Sequence, residues 1–194
     1  MTEFDALKEL LWMLVTDPGT GPLIGLLGVA AVIDWRTMRI PNWLTVGGMA
    51  WGLFYNAAHA TSIGAGLMAS AGGLATGLAL LLPLYVLRVM GAGDVKLMAA
   101  VGAVVGVPAV LHAMLWSLVA GGAAAIGYAL YLRAFGRMAT NVAAIAQSMA
   151  FAALVGLRPD PALTGRASVG KLPFGVGIAL GTVAFLVARQ LGYL

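Results

Sequence analysis

The chain contains no cysteine and very little charge. Only 9% of its 194 residues are charged and 61% are hydrophobic, with seven acidic residues and two histidines. The lack of cysteine excludes disulfides, cysteine-ligated zinc, iron–sulfur clusters and thiol catalysis. Soluble domains carry about 25% charged residues, so this chain lacks the polar surface that a core in water requires. At roughly 20 residues per span, the length allows about five to seven transmembrane helices.

The formal net charge of +4 does not indicate a nucleic-acid-binding protein. The basic residues are scattered near the ends of apolar segments and form no patch interleaved with aromatic side chains. We therefore predict a lipid bilayer as the surroundings of the chain and no nucleic acid as a partner.

The apolar runs predict an all-α polytopic membrane protein, a single membrane-embedded domain over residues 1–194 with about six transmembrane helices. The predicted spans are residues 20–38, 43–59, 64–88, 93–108, 109–132 and 172–190. Before them, residues 1–17 have apolar positions at helical spacing, which predicts an amphipathic helix lying at a membrane interface.

Residues 133–171 are predicted to form a cytoplasmic, interfacial segment. Within it, residues 138–157 are apolar enough to cross the membrane, but basic residues flank them on both sides. If residues 138–157 lie along the membrane, all of these charges stay on one face, and the charge bias favours this alternative. The flanking residues are Arg133, Arg137, Arg158, Arg166 and Lys171.

Six spans place every basic residue except Lys8 and Arg189 on one side of the membrane. By the positive-inside rule that side is cytoplasmic, and both termini are then outside. Glycines four residues apart recur within the spans and predict close packing between helices. These pairs are Gly48/Gly52, Gly73/Gly77, Gly102/Gly106 and Gly177/Gly181.

Two aspartates, Asp34 and Asp94, lie at the edges of apolar segments, where ionisable side chains are costly and often functional. An ion pair of Asp34 with Arg36 or Arg39 is an alternative role. Capping of the helix that follows is an alternative role for Asp94. In the predicted topology both aspartates reach the cytoplasmic membrane boundary, where they could face each other.

Two carboxylates in a partly dry site tend to share one proton. The charged one can activate water while the protonated one polarises a carbonyl group. This chemistry needs no cofactor and no metal, and His59 and His112 lie on the other side in the predicted topology. A zinc site would need more ligands than the chain offers near the aspartates.

Two motifs resemble those of the type IV prepilin peptidases, which are membrane aspartic proteases of the GxGD type. Residues 34–42, DWRTMRIPN, match their D-x(5)-I-P-N motif, and residues 91–97, GAGDVKL, match their GxGD motif. A weaker match is the segment KLPFG at residues 171–175, which resembles the start of the last span in that family. The resemblance covers about residues 20–190.

The resemblance implies a peptidase that removes the short basic leader of prepilins, just before their apolar helix, at the cytoplasmic face of the bacterial inner membrane. It implies Asp34 and Asp94 as catalytic residues and a pilin-like subunit as partner. It also implies supporting roles in the loops and substrate cleft for Gly91, Gly93, Lys96, Pro41, Asn42, Pro173 and Phe174. For Lys96, anchoring to lipid headgroups is an equally weighted alternative.

The chain lacks the cysteine-containing insertion of the larger family members, so N-methyltransferase activity is not expected. Its size resembles the short peptidases of the tight-adherence (Flp pilus) systems. One alternative is a non-enzymatic assembly component, or an ion or proton carrier that uses the same aspartates. Another is a protease of the presenilin or signal-peptide-peptidase kind. Those proteases have a Tyr-Asp motif, whereas Ile33 precedes Asp34 here.

Overall fold

The computed structural model describes residues 3–86, 90–133, 136, 139–144, 146–147 and 173–193. All regular structure in these residues is helical, which confirms the all-α prediction. The helices with defined bounds are α1 (Glu3–Thr16), α2 (Thr20–Thr37), α3 (Asn42–His59), α4 (Ile63–Val86), α5 (Ala92–Val105), α6 (Val107–Tyr131) and α7 (Phe174–Gln190).

The six predicted spans correspond to α2 through α7, and their ends agree with the helix ends to within about three residues. The last two residues of the predicted span 64–88 lie outside the described residues. So does most of the predicted interfacial segment 133–171, including all of residues 148–157. The described residues between 136 and 147 are helical.

Backbone geometry defines where the helices near the aspartates begin and end. The left-handed conformation of Met38 (φ 52°) ends α2, and its N–H donates to the Asp34 carbonyl oxygen at 2.8 Å. Pro41 has an extended conformation and begins α3. Gly106 separates α5 from α6 and has a positive φ of 82°. Few residues with a side chain tolerate this backbone conformation, which favours glycine at the turn. The chain therefore turns sharply after α2 and after α5.

Helix α5 is the centre of the described bundle. It contacts α2, α3, α4, α6 and α7, and its residues from Leu97 to Val104 are all buried. The helix is apolar on all sides because neighbours surround it, which is the pattern expected of a fully buried helix. Asp94 lies at its first turn.

Glycines bring the helix backbones together, as their spacing predicted. A Cβ atom at Gly73 in α4 would clash with the backbone of Gly102 in α5. A Cβ atom at Gly52 in α3 would lie 2.5 Å from the Ala103 carbonyl carbon, and one at Gly177 in α7 would lie 2.8 Å from Gly121 Cα. Close approach of this kind gives van der Waals contact between helices in a bilayer, where the hydrophobic effect does not drive their association.

Among the described residues, α4 and α6 are long and apolar enough to cross a membrane. The end of α1 and the whole of α2 together pass the same test as one broken span, bent by 95°. The chain is thus a helical membrane protein with two or three such spans, and the count of about six stays a prediction. In α1, Leu10 and Leu14 are buried while Trp12 is 71% exposed, as in a helix that lies across the end of the bundle.

Candidate active site

Asp34 lies in the last turn of α2 and is buried, with 5% of its surface exposed. Its Oδ2 accepts a hydrogen bond of 2.9 Å from the backbone N–H of Gly175, in the first turn of α7. The first N–H groups of a helix have no partner within the helix and carry partial positive charge, so they bind carboxylates well. Asp34 forms no ion pair with Arg36 or Arg39, both of which are described and exposed. The start of α7 therefore takes the place of the predicted alternative partners.

Asp94 lies in the first turn of α5 and is also buried, with 9% exposed. Its Oδ2 accepts the N–H of Gly91 at 3.3 Å. Helix α5 begins at Ala92 with Gly91 as its N-cap, so Asp94 is the third helical residue and not the N-cap itself. Its carboxylate nevertheless satisfies one backbone donor at the helix start, as in a capping box. Capping and a chemical role are thus compatible here.

The two aspartates lie at the same end of the bundle, where α2 ends and α5 and α7 begin. Ile40 packs against the start of α5 and against the start of α7. A Cβ atom at Gly93 would lie 3.0 Å from Ile40 Cβ, and one at Gly175 would lie 2.9 Å from Ile40 Cδ1. Buried Ile40 thus joins the loop after α2 to the starts of α5 and α7.

Lys96 links the two principal motifs. Its Nζ donates a hydrogen bond of 2.9 Å to Oδ1 of Asn42, the first residue of α3. The two residues are 54 positions apart in the chain, so this contact holds the start of α3 against the start of α5. Of the two roles considered for Lys96, the structure supplies a contact for loop positioning.

The remaining predicted site residues shape the backbone around the aspartates. Pro41 precedes α3 and Pro173 precedes α7, both in extended conformations. The ring of Phe174 packs against Gly121 of α6, since a Cβ atom there would lie 2.7 Å from Phe174 Cε2. Phe174 therefore contacts α6, and Gly175 after it reaches Asp34. Gly91 is the N-cap of α5, and Gly93 lies in its first turn.

No group of three or more His, Cys, Asp or Glu side chains suited to a metal ion occurs among the described residues. His59 stacks on Tyr55 near the end of α3, with ring centroids 4.4 Å apart. His112 stacks on Phe185 with ring centroids 6.1 Å apart. His59 lies in the last turn of α3 and His112 in the second turn of α6. Their placement on the other side of the membrane from the aspartates stays a prediction.

Gly175 and Ile40 were not among the predicted site residues, although both lie within the quoted motifs. The signal that could have identified Gly175 is the small residue directly after Pro-Phe at a predicted helix start. Two buried carboxylates from different helices, each holding a backbone N–H, can position a water molecule and polarise a carbonyl group between them.

A model of the type IV leader peptidase family matches residues 22–126, which is more than half of the chain. The match includes Asp34, Asn42, Lys96 and Asp94 together with helices α2 to α5. No significant match was found to a curated protein or to a solved structure. The predicted family is thereby confirmed: the chain belongs to the type IV leader peptidase family, a family of proteases.

Proposed function

We propose that the protein is a membrane aspartic endopeptidase that removes the short basic leader from type IV, Flp-like prepilins at the cytoplasmic face of the inner membrane. The observation that carries this proposal is the pairing of Asp34 and Asp94. They come from separate helices, are at least nine-tenths buried, and lie at the same end of the bundle.

The two carboxylates share the work of peptide hydrolysis. The ionised carboxylate accepts a proton from water, and the oxygen of that water attacks the scissile carbonyl carbon. The protonated carboxylate donates to the carbonyl oxygen in the same step. When the tetrahedral intermediate collapses, the C–N bond breaks and the leaving amine takes up a proton. No other nucleophile is required.

The surrounding residues act by positioning. The Gly175 N–H orients the Asp34 carboxylate, and the Gly91 N–H orients that of Asp94. The exposed hydrogen bond between Lys96 and Asn42 holds the start of α5 against the start of α3. Misplacement of a catalytic group by about 1 Å can cost about a hundredfold in rate, so such contacts matter to activity.

Asp34→Asn and Asp94→Asn are each expected to abolish cleavage while leaving membrane insertion intact, because asparagine keeps the size of the side chain but cannot exchange the proton. The test is co-expression with a Flp-type prepilin, followed by N-terminal sequencing of the subunit. Glu9→Gln provides a matched control, since it makes the same carboxyl-to-amide change at an exposed position in α1.

An inserted Asp34→Asn or Asp94→Asn variant that still cuts the subunit would refute the proposal. A carrier or scaffold that uses the same aspartates is distinguished by the wild type: it would leave every prepilin and leader peptide intact. The family membership favours hydrolysis over these alternatives.

A further inference from the structure

A polar cavity of about 470 Å³ lies at the end of the bundle where α2 begins and where α3, α5 and α7 end. It is lined by Thr20, the first residue of α2, and by Arg189, in the last turn of α7. Asp34 lies in the last turn of the same 18-residue α2, whose full rise is about 27 Å at 1.5 Å per residue. The cavity is therefore at the other end of the bundle from the candidate active site.

The cavity is lined by one acidic and one basic side chain that do not pair. Asp17 and Arg189 both line it, and no ion pair joins them in the described structure. Asp17 Oδ1 accepts the backbone N–H groups of Gly19 and Thr20 at 2.9 and 2.7 Å. Its Oδ2 has no hydrogen-bond partner among the described residues. Opposite charges that line one cavity without pairing suit a ligand that carries both charges.

Neutral hydrogen-bonding groups also line this cavity. Asn56 Nδ2 donates to the backbone carbonyl oxygens of Ala103 and Val104 at 3.0 and 3.1 Å, so its Oδ1 stays available as an acceptor. Tyr55 and Gln190 line the cavity too, and their side chains donate no hydrogen bond to the described residues. The cavity thus offers oxygen acceptors to a cationic group and N–H and O–H donors to an anionic group.

An apolar groove of about 220 Å³ continues from the cavity between α2 and α3. Val104 lines both spaces. On α2, Thr20 lines the cavity and Leu23 lines the groove. On α3, Tyr55 lines the cavity and Trp51 lines the groove, and their rings stack with centroids 6.3 Å apart. The groove therefore leads from the end of the bundle towards its middle, and the two spaces together suit a molecule with one polar and one apolar end.

We propose that this site binds a phospholipid whose headgroup carries a phosphate and a primary ammonium, as phosphatidylethanolamine does. The headgroup lies in the polar cavity and one acyl chain lies in the groove. Arg189 binds the phosphate, and the ammonium donates to Asp17 and Asn56. The two formal charges that line the cavity cancel, which favours a zwitterionic headgroup over an anionic one. A choline headgroup has no N–H to donate, so it satisfies neither acceptor.

Lipid binding to the purified full-length protein in detergent tests the site, with native mass spectrometry to count bound lipids. The wild type should bind one phosphatidylethanolamine about tenfold more tightly than phosphatidylglycerol or phosphatidylcholine with the same acyl chains. Arg189→Gln should weaken phosphatidylethanolamine binding about tenfold. Arg39→Gln is the matched control at an exposed position after the other end of α2. Equal affinity for the three lipids, or equal affinity of the two variants, would overturn the proposal.

Asp17→Asn tests the recognition of the ammonium. The asparagine oxygen can still accept the backbone N–H groups at the start of α2, so the helix start is kept, but the negative charge is lost. The preference for phosphatidylethanolamine over phosphatidylglycerol should therefore be lost or reversed. Glu9→Gln in α1 is the control for the loss of a carboxylate, since Glu9 does not line the cavity. An unchanged preference in Asp17→Asn would contradict the proposed headgroup contact.

Filling the groove tests the position of the acyl chain. Gly47 lines the groove, and a Cβ atom there meets nothing within 4 Å. Gly47→Leu should weaken phosphatidylethanolamine binding about tenfold, whereas Gly28→Leu, at an equally open position outside the groove, should change it by less than about twofold. Binding of glycerophosphoethanolamine, which has no acyl chain, as tight as that of the whole lipid would show that the groove holds no chain. These measurements need no substrate, so they stand apart from the proposed peptidase function.

Discussion

The hydrogen bond from Gly175 to Asp34 depends on the absence of a side chain at position 175. A Cβ atom there would lie 2.8 Å from Asp34 Oδ2 and 2.9 Å from Ile40 Cδ1. Contacts this short force at least one of the three residues to move. The glycine therefore lets the start of α7 come within hydrogen-bonding distance of the carboxylate.

Gly175→Ala is accordingly expected to reduce prepilin cleavage about a hundredfold, because the carboxylate is displaced by a substantial part of an ångström. The measurement is the cleavage rate of purified protein on a prepilin substrate. Gly127→Ala in α6 is the control, since a Cβ atom at Gly127 meets nothing within 4 Å. Retention of full activity by Gly175→Ala would show that Asp34 does not need this contact.

The hydrogen bond between Lys96 and Asn42 predicts that substitutions at the two residues have coupled effects on the rate of cleavage. Lys96→Met and Asn42→Ala should each lower kcat about tenfold, the scale for loss of one hydrogen bond to a charged group. The double variant should be no worse than either single variant, because both remove the same contact. KM should change little, since the contact positions the motifs and does not touch substrate.

A double-mutant cycle on kcat makes this measurement, and Lys96→Arg should restore part of the rate because arginine also donates. Additive losses in the cycle would instead indicate separate roles for the two residues, such as headgroup anchoring by Lys96.

At this scale the sequence identified the motifs but not all the contacts between them. Asp34 and Asp94 stood out because the chain has few acids and these two border apolar segments. The hydrogen bond from Gly175 joins residues 141 positions apart, and no local pattern encodes such a contact. The same applies to Lys96, whose partner becomes visible only when α3 and α5 are placed side by side.

Helices α4 and α5 pack backbone to backbone through Gly73 and Gly102. A Cβ atom at either position would clash with the carbonyl oxygen of the other. Of all helix pairs in the described structure, α4 and α5 make the most extensive contact. Because α5 carries Asp94, this interface holds one half of the candidate dyad.

Gly102→Val is expected to lower the free energy of unfolding by about 1–3 kcal/mol, the usual cost of forcing extra atoms into a packed interior. Thermal denaturation in detergent measures this as a lower midpoint. Gly127→Val serves as the control, since that position is open. An unchanged midpoint in Gly102→Val would mean that the two helices separate without penalty.

Helices were the easiest feature to predict, because long apolar runs bounded by glycine, proline and charge leave few alternatives in a bilayer. The central position of α5 was harder. At 14 residues it is short, and its sequence is apolar all round, which fits a lipid-exposed helix as well as an enclosed one. Only the contacts with its neighbours distinguish the two.

The charge distribution of the whole molecule predicts its orientation. Arg36 and Arg39 lie at the end of the bundle that carries the aspartates, whereas Arg189 lies in the last turn of α7 and Lys8 lies within α1. From the positive-inside rule we predict that the aspartates lie on the cytoplasmic side.

Cysteine labelling tests this orientation without background, because the chain has no cysteine. Thr61→Cys, in the turn between α3 and α4, should react with a membrane-impermeant maleimide in intact cells. Arg39→Cys, in the turn between α2 and α3, should react only after permeabilisation. The reverse pattern would invert the topology and move the candidate site outside.

The unequal lengths of α5 and α6 affect how deep the aspartates lie. Helix α5 ends, and α6 begins, at the turn that contains Gly106. Helix α5 has 14 residues and α6 has 25. Phe174 packs on Gly121, which places the start of α7, and so Asp34, at the level of Gly121. From there α6 continues to Tyr131, a further distance of about 15 Å at 1.5 Å per residue.

Asp34 thus lies about 15 Å short of the end of α6, measured along that helix. An extended chain rises about 3.3 Å per residue, so about five residues separate a bond held at the aspartates from the level of Tyr131. In the proposed function, positive charges of the leader reach that level only when they precede the cut by about that many residues. For the proposed peptidase, the length of α6 therefore predicts a minimum useful length for the leader.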